Sequence, residues 1–293
     1  MERKSTLFRR QLARPGAILS AGVYDALSAR MAELAGFDAV HHSGYGTAAA
    51  LLGAPDIGLV DFSEMCRQVK NIARSVSIPV LGDADTGYGN ALNVYRTVQE
   101  YVWTGASGTF IEDQQWPKRC GHMEGKRVVS REEMRSKLRA AVDARDGEDR
   151  DFVIIFRTDA LAVEGLDSAL DRARDALDVG ADVIFVEALR TREEMERVVD
   201  AIRAPLMLNL IEGGKTPLLS LSEAQEMGFK YVVFALSALY GAVRGMKEAL
   251  DAIVATGRTG TVPSPSFDDF APIVRSDLYA ERARRYRFEP SGC

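Results

Sequence analysis

Apolar and polar positions follow one another in a cycle that recurs along the chain. A helical pattern ends at a glycine, one or two small or polar residues follow, and an apolar run begins. The cycle reads "AELAGFDAV" at 32–40, "VWTGASGTF" at 102–110, "LDVGADVIF" at 177–185 and "QEMGFKYVVF" at 225–234. Gly36, Gly105, Gly180 and Gly228 are predicted to close helices, because glycine enters the left-handed region without a Cβ clash. Each apolar run that follows predicts a buried strand. Helix starts are legible too. Ser130–Glu133, Thr191–Glu194 and Ser222–Gln225 match the capping box, in which side chain and backbone satisfy each other at a helix N-terminus. Met134, Leu138, Ala141 and Val142, and then Met195, Val198, Val199 and Ile202, keep helical spacing behind two of them.

Eight strands are predicted, over 17–20, 38–42, 79–85, 108–113, 152–159, 182–188, 205–210 and 231–235. Helical patterns separate them, which implies βαβ units and a parallel sheet. Eight such units in 293 residues predict an α/β fold, a closed (β/α)8 TIM barrel, with an open doubly wound sheet as the alternative. No linker or low-complexity run divides residues 1–293, so a single barrel domain is expected. Residues 261–293 follow the eighth helix. Their Pro/Ser-rich start reads as a connector, and "RSDLYAERARRYRF" as an extra C-terminal helix able to pack on a neighbouring subunit.

Composition narrows the function classes. The chain is 46% hydrophobic and 27% charged, which is ordinary for a globular protein. Its net charge is −5 with no basic stripe, so no nucleic-acid partner is expected. No window is apolar enough to span a membrane, and the charged N-terminus has no signal core. Three scattered cysteines do not make a disulfide framework. A cytoplasmic protein is expected.

In such a barrel, chemistry sits at the C-terminal strand ends, and here those ends are charged. "DADTGYG" holds Asp83 and Asp85 two apart, which on a strand points them the same way. Two adjacent carboxylates repel unless a cation lies between them. With Glu112 from the next strand they form an oxygen-rich cluster suited to Mg2+ or Mn2+. Asp56 could join as a ligand or hold the metal's water shell. The competing reading has Asp83 or Asp85 capping the following turn. Arg157 ends an apolar run, so it must be paired or face a cavity, and its planar fork suits a substrate carboxylate. Glu187 and Asn209 hold matching places on the next two strands and could complete a polar pocket. "GYGTAA" at 44–49 also fits a dinucleotide fingerprint. Its helix is cut short by "GAPD" and the acid about 20 residues on, Asp61, leads into a helix, so that reading is rejected.

About 17 residues without an element pattern separate the fourth strand from the helix near Ser130. Loops this long in a compact domain are commonly lids. Here "PKRCGHMEGKR" is expected to close over the strand ends. Lys118, Arg119 and His122 flank Cys120. Positive neighbours favour a thiolate, so the thiol could act as nucleophile or proton donor. A zinc site would need a second Cys/His pair, and an acidic metal cluster has no part in Cys–His proteolysis.

The segments "SGYGTAAALLGAPDIGL", "GDADTGYGNALNVYRTV", "IEDQ", "KRCGH", "RTDA" and "NLIEGGKTP" resemble the isocitrate lyase/phosphoenolpyruvate mutase superfamily over nearly the whole chain. "KRCGH" is similar to the lyase branch, and "RTDALAVEGLDSAL" to its 2-methylisocitrate and 2,3-dimethylmalate lyases. The resemblance implies a Mg2+-dependent carbon–carbon lyase acting on a small anionic 2-hydroxy carboxylate and releasing pyruvate or a related 2-oxo acid. It implies Cys120 as proton donor, tuned by His122 and Lys118, with Arg157 and the metal countering negative charge. It places the substrate carboxylate at Ser43 and Gly44, the metal at Asp83 and Asp85 with Glu112 nearby, and a substrate contact at Asn209. It also implies a homotetramer exchanging C-terminal helices. The alternative within the superfamily is oxaloacetate hydrolysis or decarboxylation. Hydrolases commonly carry Ser after the strand-7 Asn, where this chain has Leu210. Two departures bear on the substrate. His41 stands where the lyases usually carry Tyr, the base proposed for them. Tyr45 replaces a Gly and would shrink the pocket toward a smaller alkylmalate.

Overall fold

The computed structural model describes residues 2–121 and 123–287. Two compact units divide the chain, Met1–Leu239 and Tyr240–Cys293. The first begins with α1 (Lys4–Ala13), β1 (Ile18–Val23), α2 (Ala26–Ala35), β2 (Ala39–His42), α3 (Gly44–Leu52) and α4 (Phe62–Ser75). It continues through β3 (Val80–Asp83), α5 (Ala91–Thr104), β4 (Gly108–Glu112), α6 (Arg131–Glu148), β5 (Val153–Thr158), α7 (Ala160–Val163) and α8 (Leu166–Val179). β6 (Val183–Val186), α9 (Arg192–Ala201), β7 (Leu206–Leu210), α10 (Leu221–Met227), β8 (Tyr231–Phe234) and the start of α11 (Ser237–Thr256) complete it. The second unit holds most of α11, then α12 (Phe267–Phe270) and α13 (Ser276–Arg285), the helix expected in the tail.

All eight strands are parallel and close into a barrel in sequence order. Gly36, Gly105, Gly180 and Gly228 end their helices with φ between 89° and 114°, as their spacing predicts. Ser130 and Thr191 cap α6 and α9. The third cap is corrected. Ser220 and Glu223, not Ser222 and Gln225, form the capping box of α10. Ser220 is the better placed because its hydroxyl accepts the Glu223 N–H one turn ahead, whereas Ser222 is already inside the helix. Such a cap is worth about 1 kcal/mol.

Strand parity decides what faces the barrel interior. Val153 and Ile155 pack inside with Phe110, Phe185, Met207 and Tyr231, whereas Ile154 and Phe156 pack outward against the helices. Side chains two apart on a strand share a face. Arg157 therefore follows Val153 and Ile155 inward, and Glu112 follows Phe110. By the same count Glu187 follows Phe185, Asn209 follows Met207, and His41 follows Ala39. Apolar layers fill the barrel below, and these polar side chains form its uppermost layer.

α1 was not foreshadowed by the charged N-terminal pattern. Phe8 is its anchor, fully buried and edge-on to Tyr231 with ring centroids 5.4 Å apart.

Candidate active site

Arg157 organises the top of the barrel. Its Nη1 lies 3.0 Å from Glu112 Oε2, its Nε 3.0 Å from Asp159 Oδ2 and 3.7 Å from Glu187 Oε2. Burial disfavours the guanidinium charge, but Asp159, Glu112 and Glu187 overcome it and hold its pKa well above the ordinary value. The Phe185 ring lies under the cation, 5.6 Å from centroid to Cζ. Asp113 supports the arrangement from behind: it accepts the Thr158 hydroxyl at 2.7 Å and the Asp159 N–H at 2.9 Å.

The acids on the other side surround a lysine. Lys118, from the loop between β4 and α6, places its ammonium 2.6 Å from Asp56 Oδ1 and 2.7 Å from Asp85 Oδ1. Burial works against that charge, and Asp85, Asp56, Asp83 and Glu112 together raise its pKa. The acids remain short of positive charge. Burial, then Asp85, push Asp83 up to about 7, and burial raises Asp85 and Glu112 as well.

Asp83 and Asp85 reach this cluster differently from expected. β3 ends at Asp83, and Asp85 sits in a turn with φ 46°, so the strand alternation does not relate them. Asp83 Oδ1 accepts the Asp85 N–H at 2.9 Å and its Oδ2 accepts the Gly44 N–H at 3.0 Å. The turn-capping role is thus filled by Asp83, whose oxygens are both engaged by backbone. Among the described residues no three His, Cys, Asp or Glu side chains converge closely enough to enclose a metal directly. The set fits a hydrated divalent ion instead. Mg2+ keeps several waters and takes one or two carboxylates, and this buried acid group is only partly compensated by Lys118 and Arg157.

Ser43 caps α3 by accepting the Gly46 N–H at 3.1 Å, and Ser43, Gly44 and Tyr45 at this helix start line the barrel mouth. Such a terminus favours an anion. His42, outward on β2, braces the helix through Nε2 and the Thr47 hydroxyl, 2.8 Å apart. Burial lowers the His42 pKa from 6.5 to about 3. The unfolded chain takes up this proton near pH 6.5 and the folded chain only near 3, so the stability involved is complete above 6.5 and lost as pH falls through that window. Between pH 6.5 and 5, denaturant titrations are expected to show the unfolding free energy of the native chain falling more steeply than that of His42→Gln, by a difference that grows from about 0.7 to about 1.4 kcal/mol per pH unit across that range. Parallel slopes would contradict it.

The β4–α6 loop folds over the mouth. The Cys120 N–H donates to the Asp56 carbonyl at 3.3 Å. Gly121 lies so close to the wall that a Cβ there would stand 2.3 Å from Glu187 Cγ and 2.7 Å from Arg157 Nη2. Beneath the loop is a cavity of about 60 Å3. Ser43, Gly44, Tyr45, Asp56, Asp83, Cys120, Arg157, Glu187 and Asn209 line it, as the sequence grouped them. Asp85, Glu112 and Lys118 lie outside its lining, and His122 lies outside the described residues. Sequence reasoning did not assign His41, Ile211, Phe185 or Leu236 to the lining. His41 stacks on Phe110 at 4.5 Å, and burial, then His42 and Arg157, lower its pKa to about 3, so it is uncharged. Leu210 packs outward in the core between strands and helices, so it is not a wall of the cavity.

Residues 8–254 match the sequence profile of the phosphoenolpyruvate phosphomutase family. The chain belongs to this family. Within the phosphoenolpyruvate mutase/isocitrate lyase superfamily, it is 38% identical over 271 residues to the 2,3-dimethylmalate lyase of Eubacterium barkeri, covering 92% of this chain and 93% of the relative. It is 40% identical over 265 residues to a 2-methylisocitrate lyase of Aeropyrum pernix, covering 86% and 83%. A crystal structure of 2,3-dimethylmalate lyase superposes with TM-score 0.93 at 39% identity, over 97% and 96% of the two chains. Oxaloacetate acetylhydrolase bound to 3,3-difluorooxalacetate superposes with TM-score 0.94 at 35% identity, over 98% of both. Superfamily membership therefore brings both lyases and a hydrolase onto this barrel, and the cavity must discriminate between them.

Proposed function

We propose that the protein is a divalent-metal-dependent carbon–carbon lyase that cleaves a substituted malate, of the 2,3-dimethylmalate or 2-methylisocitrate type, to a 2-oxo acid and a carboxylate. The observation that carries this reading is that Cys120, Arg157 and Asn209 line one small cavity at the strand ends. Relatives named as lyases of such acids support it.

The substrate's hydroxyl loses its proton, its C–O bond becomes a carbonyl, and the adjacent C–C bond breaks. The electron pair moves to the carbon beside the second carboxylate, and the Cys120 thiol gives that carbon a proton. Glu187 is the wall group better able to take the hydroxyl proton, since burial makes the His41 imidazole a weak base. Arg157 opposes the growing negative charge. The α3 N-terminus, with Ser43 and Gly44, receives a substrate carboxylate. Asp83, Asp85, Asp56 and Glu112 would hold the divalent cation, Mg2+ or Mn2+, partly through its waters, and it would acidify the hydroxyl and orient the α-carboxylate beside it. Lys118 moves or shares its acids when that cation is present, and the loop excludes water from the carbanion.

The hydrolase relatives favour a second reading, action on oxaloacetate. Leu210 does not argue against it, since that side chain faces away from the cavity. Asn209 bears on it: its Oδ1 is buried without a protein hydrogen-bond partner and can accept from the hydroxyl of a bound 2-hydroxy acid before the base removes that proton, a donor the keto form of oxaloacetate lacks. Pyruvate release is therefore expected from an alkylmalate in a panel of methylisocitrate, dimethylmalate, malate and oxaloacetate, and EDTA is expected to abolish it. Turnover of oxaloacetate alone would sink the lyase reading, and turnover in EDTA the metal requirement. Exposed apolar residues along α11, Val243, Met246 and Leu250 among them, support the tetramer the family resemblance implies.

A further inference from the structure

We infer that Lys126 is a positioning residue for Cys120, acting through a buried ion pair with Asp159 that seats the β4–α6 loop on the barrel. Lys126 Nζ lies 2.9 Å from Asp159 Oδ1, and the two side chains are 3% and 0% exposed. The same ammonium donates to the carbonyl of Gly121, the residue after Cys120. One lysine thus ties the tip of the loop to the residue that follows β5. Lys118 holds the other flank through Asp56 and Asp85, and Cys120 and Gly121 lie between the two anchors. Gly121 has no side chain to hold it against Glu187 and Arg157, so its seating depends on these neighbours.

The pair is suited to open and close. Asp159 also accepts two bonds from Arg157, at 3.0 and 3.2 Å, and its N–H donates to Asp113, and neither partner belongs to the loop. When the loop lifts, Lys126 returns to water and no buried acid is stranded. This separates it from an ion pair on which folding depends, where losing one partner leaves an unpaired charge inside.

The purpose assigned to Lys126 rests on the lyase reading, but its seating of Cys120 is measurable without turnover. The probe is iodoacetamide, with the alkylation rates of Cys120 and of Cys66, on α4, followed by mass spectrometry on the full chain. Lys126→Met is expected to raise the Cys120 rate relative to Cys66 roughly tenfold, a shift of about 1.4 kcal/mol in the opening of the loop. Lys126→Gln should do the same, and Lys126→Arg should restore a near-native ratio. Loss of a nearby positive charge would by itself make the thiol less reactive, so the rise reports exposure. An unchanged ratio in both neutral variants, or Cys66 accelerating in step with Cys120, would overturn the inference. With an active substrate, kcat should fall in the neutral variants and recover in Lys126→Arg. Failure of every malate as substrate would remove the lyase reading and leave the alkylation result standing. Unchanged alkylation would remove the anchor and leave the lyase reading standing.

Discussion

Replacing Cys120 by Ser is expected to lower kcat by roughly 10²–10⁴-fold and leave substrate affinity near native. A serine hydroxyl fills nearly the same space on the loop, and its backbone can keep the bond to the Asp56 carbonyl. It cannot match a thiol as an acid near neutral pH. The deficit should therefore appear in the chemical step and not in binding, since Arg157, Asn209 and the start of α3 are untouched. Equilibrium dialysis against a product carboxylate measures binding, and rapid quench measures the chemistry. A variant that turns over at near-native rate would take the proton-donor role from Cys120. A variant that fails to bind would show the sulfur to be a contact and not an acid.

Arg157→Met should lower the unfolding free energy by about 3–5 kcal/mol and abolish turnover. The methionine fills much of the volume but leaves Glu112, Asp159 and Glu187 facing one another without their shared cation. Two of those carboxylates lie 3.0 Å from the guanidinium, and all three are essentially buried. Their ionisation would then be opposed both by burial and by one another. Arg157→Lys should lose less stability, because it keeps a charge, yet lose most activity, because an ammonium lacks the planar fork that meets three acids at once. Urea titrations give the stability of both variants. A loss under about 1 kcal/mol in the methionine variant would mean that Lys126 and water compensate the acids well enough without the arginine.

The barrel was largely legible in the sequence because its strands are apolar runs bounded by glycine turns. All eight lie where the pattern placed them. β1 runs on to Val23, past the predicted end at residue 20, because Ala21 and Gly22 are too small to register as an apolar run. Gly22 has to be small: a Cβ there would stand 1.9 Å from the Ala235 carbonyl. The polar layer was legible for the same reason, since charged residues closing apolar strands stand out. His41 lies within the predicted strand 38–42, at the position the family resemblance gives to a base, and the strand alternation puts it on the inner face with Ala39. Lys126, Asp159 and Asp113 were not legible. Their pairings join positions 33 and 46 apart, and depend on how the loop returns to the mouth. Asp85 was found by an argument that does not apply to it, since a turn and not a strand brings it to the cluster.

With the loop down, the space beneath it is small, about 60 Å3, and partly open to solvent. A ligand larger than that space would need the loop, which Lys118 and Lys126 tie to acids of the barrel, to lift in each cycle. The rate of turnover would then depend on the flap as well as on the bond broken, and the two ammonium groups that latch it would share in setting that pace.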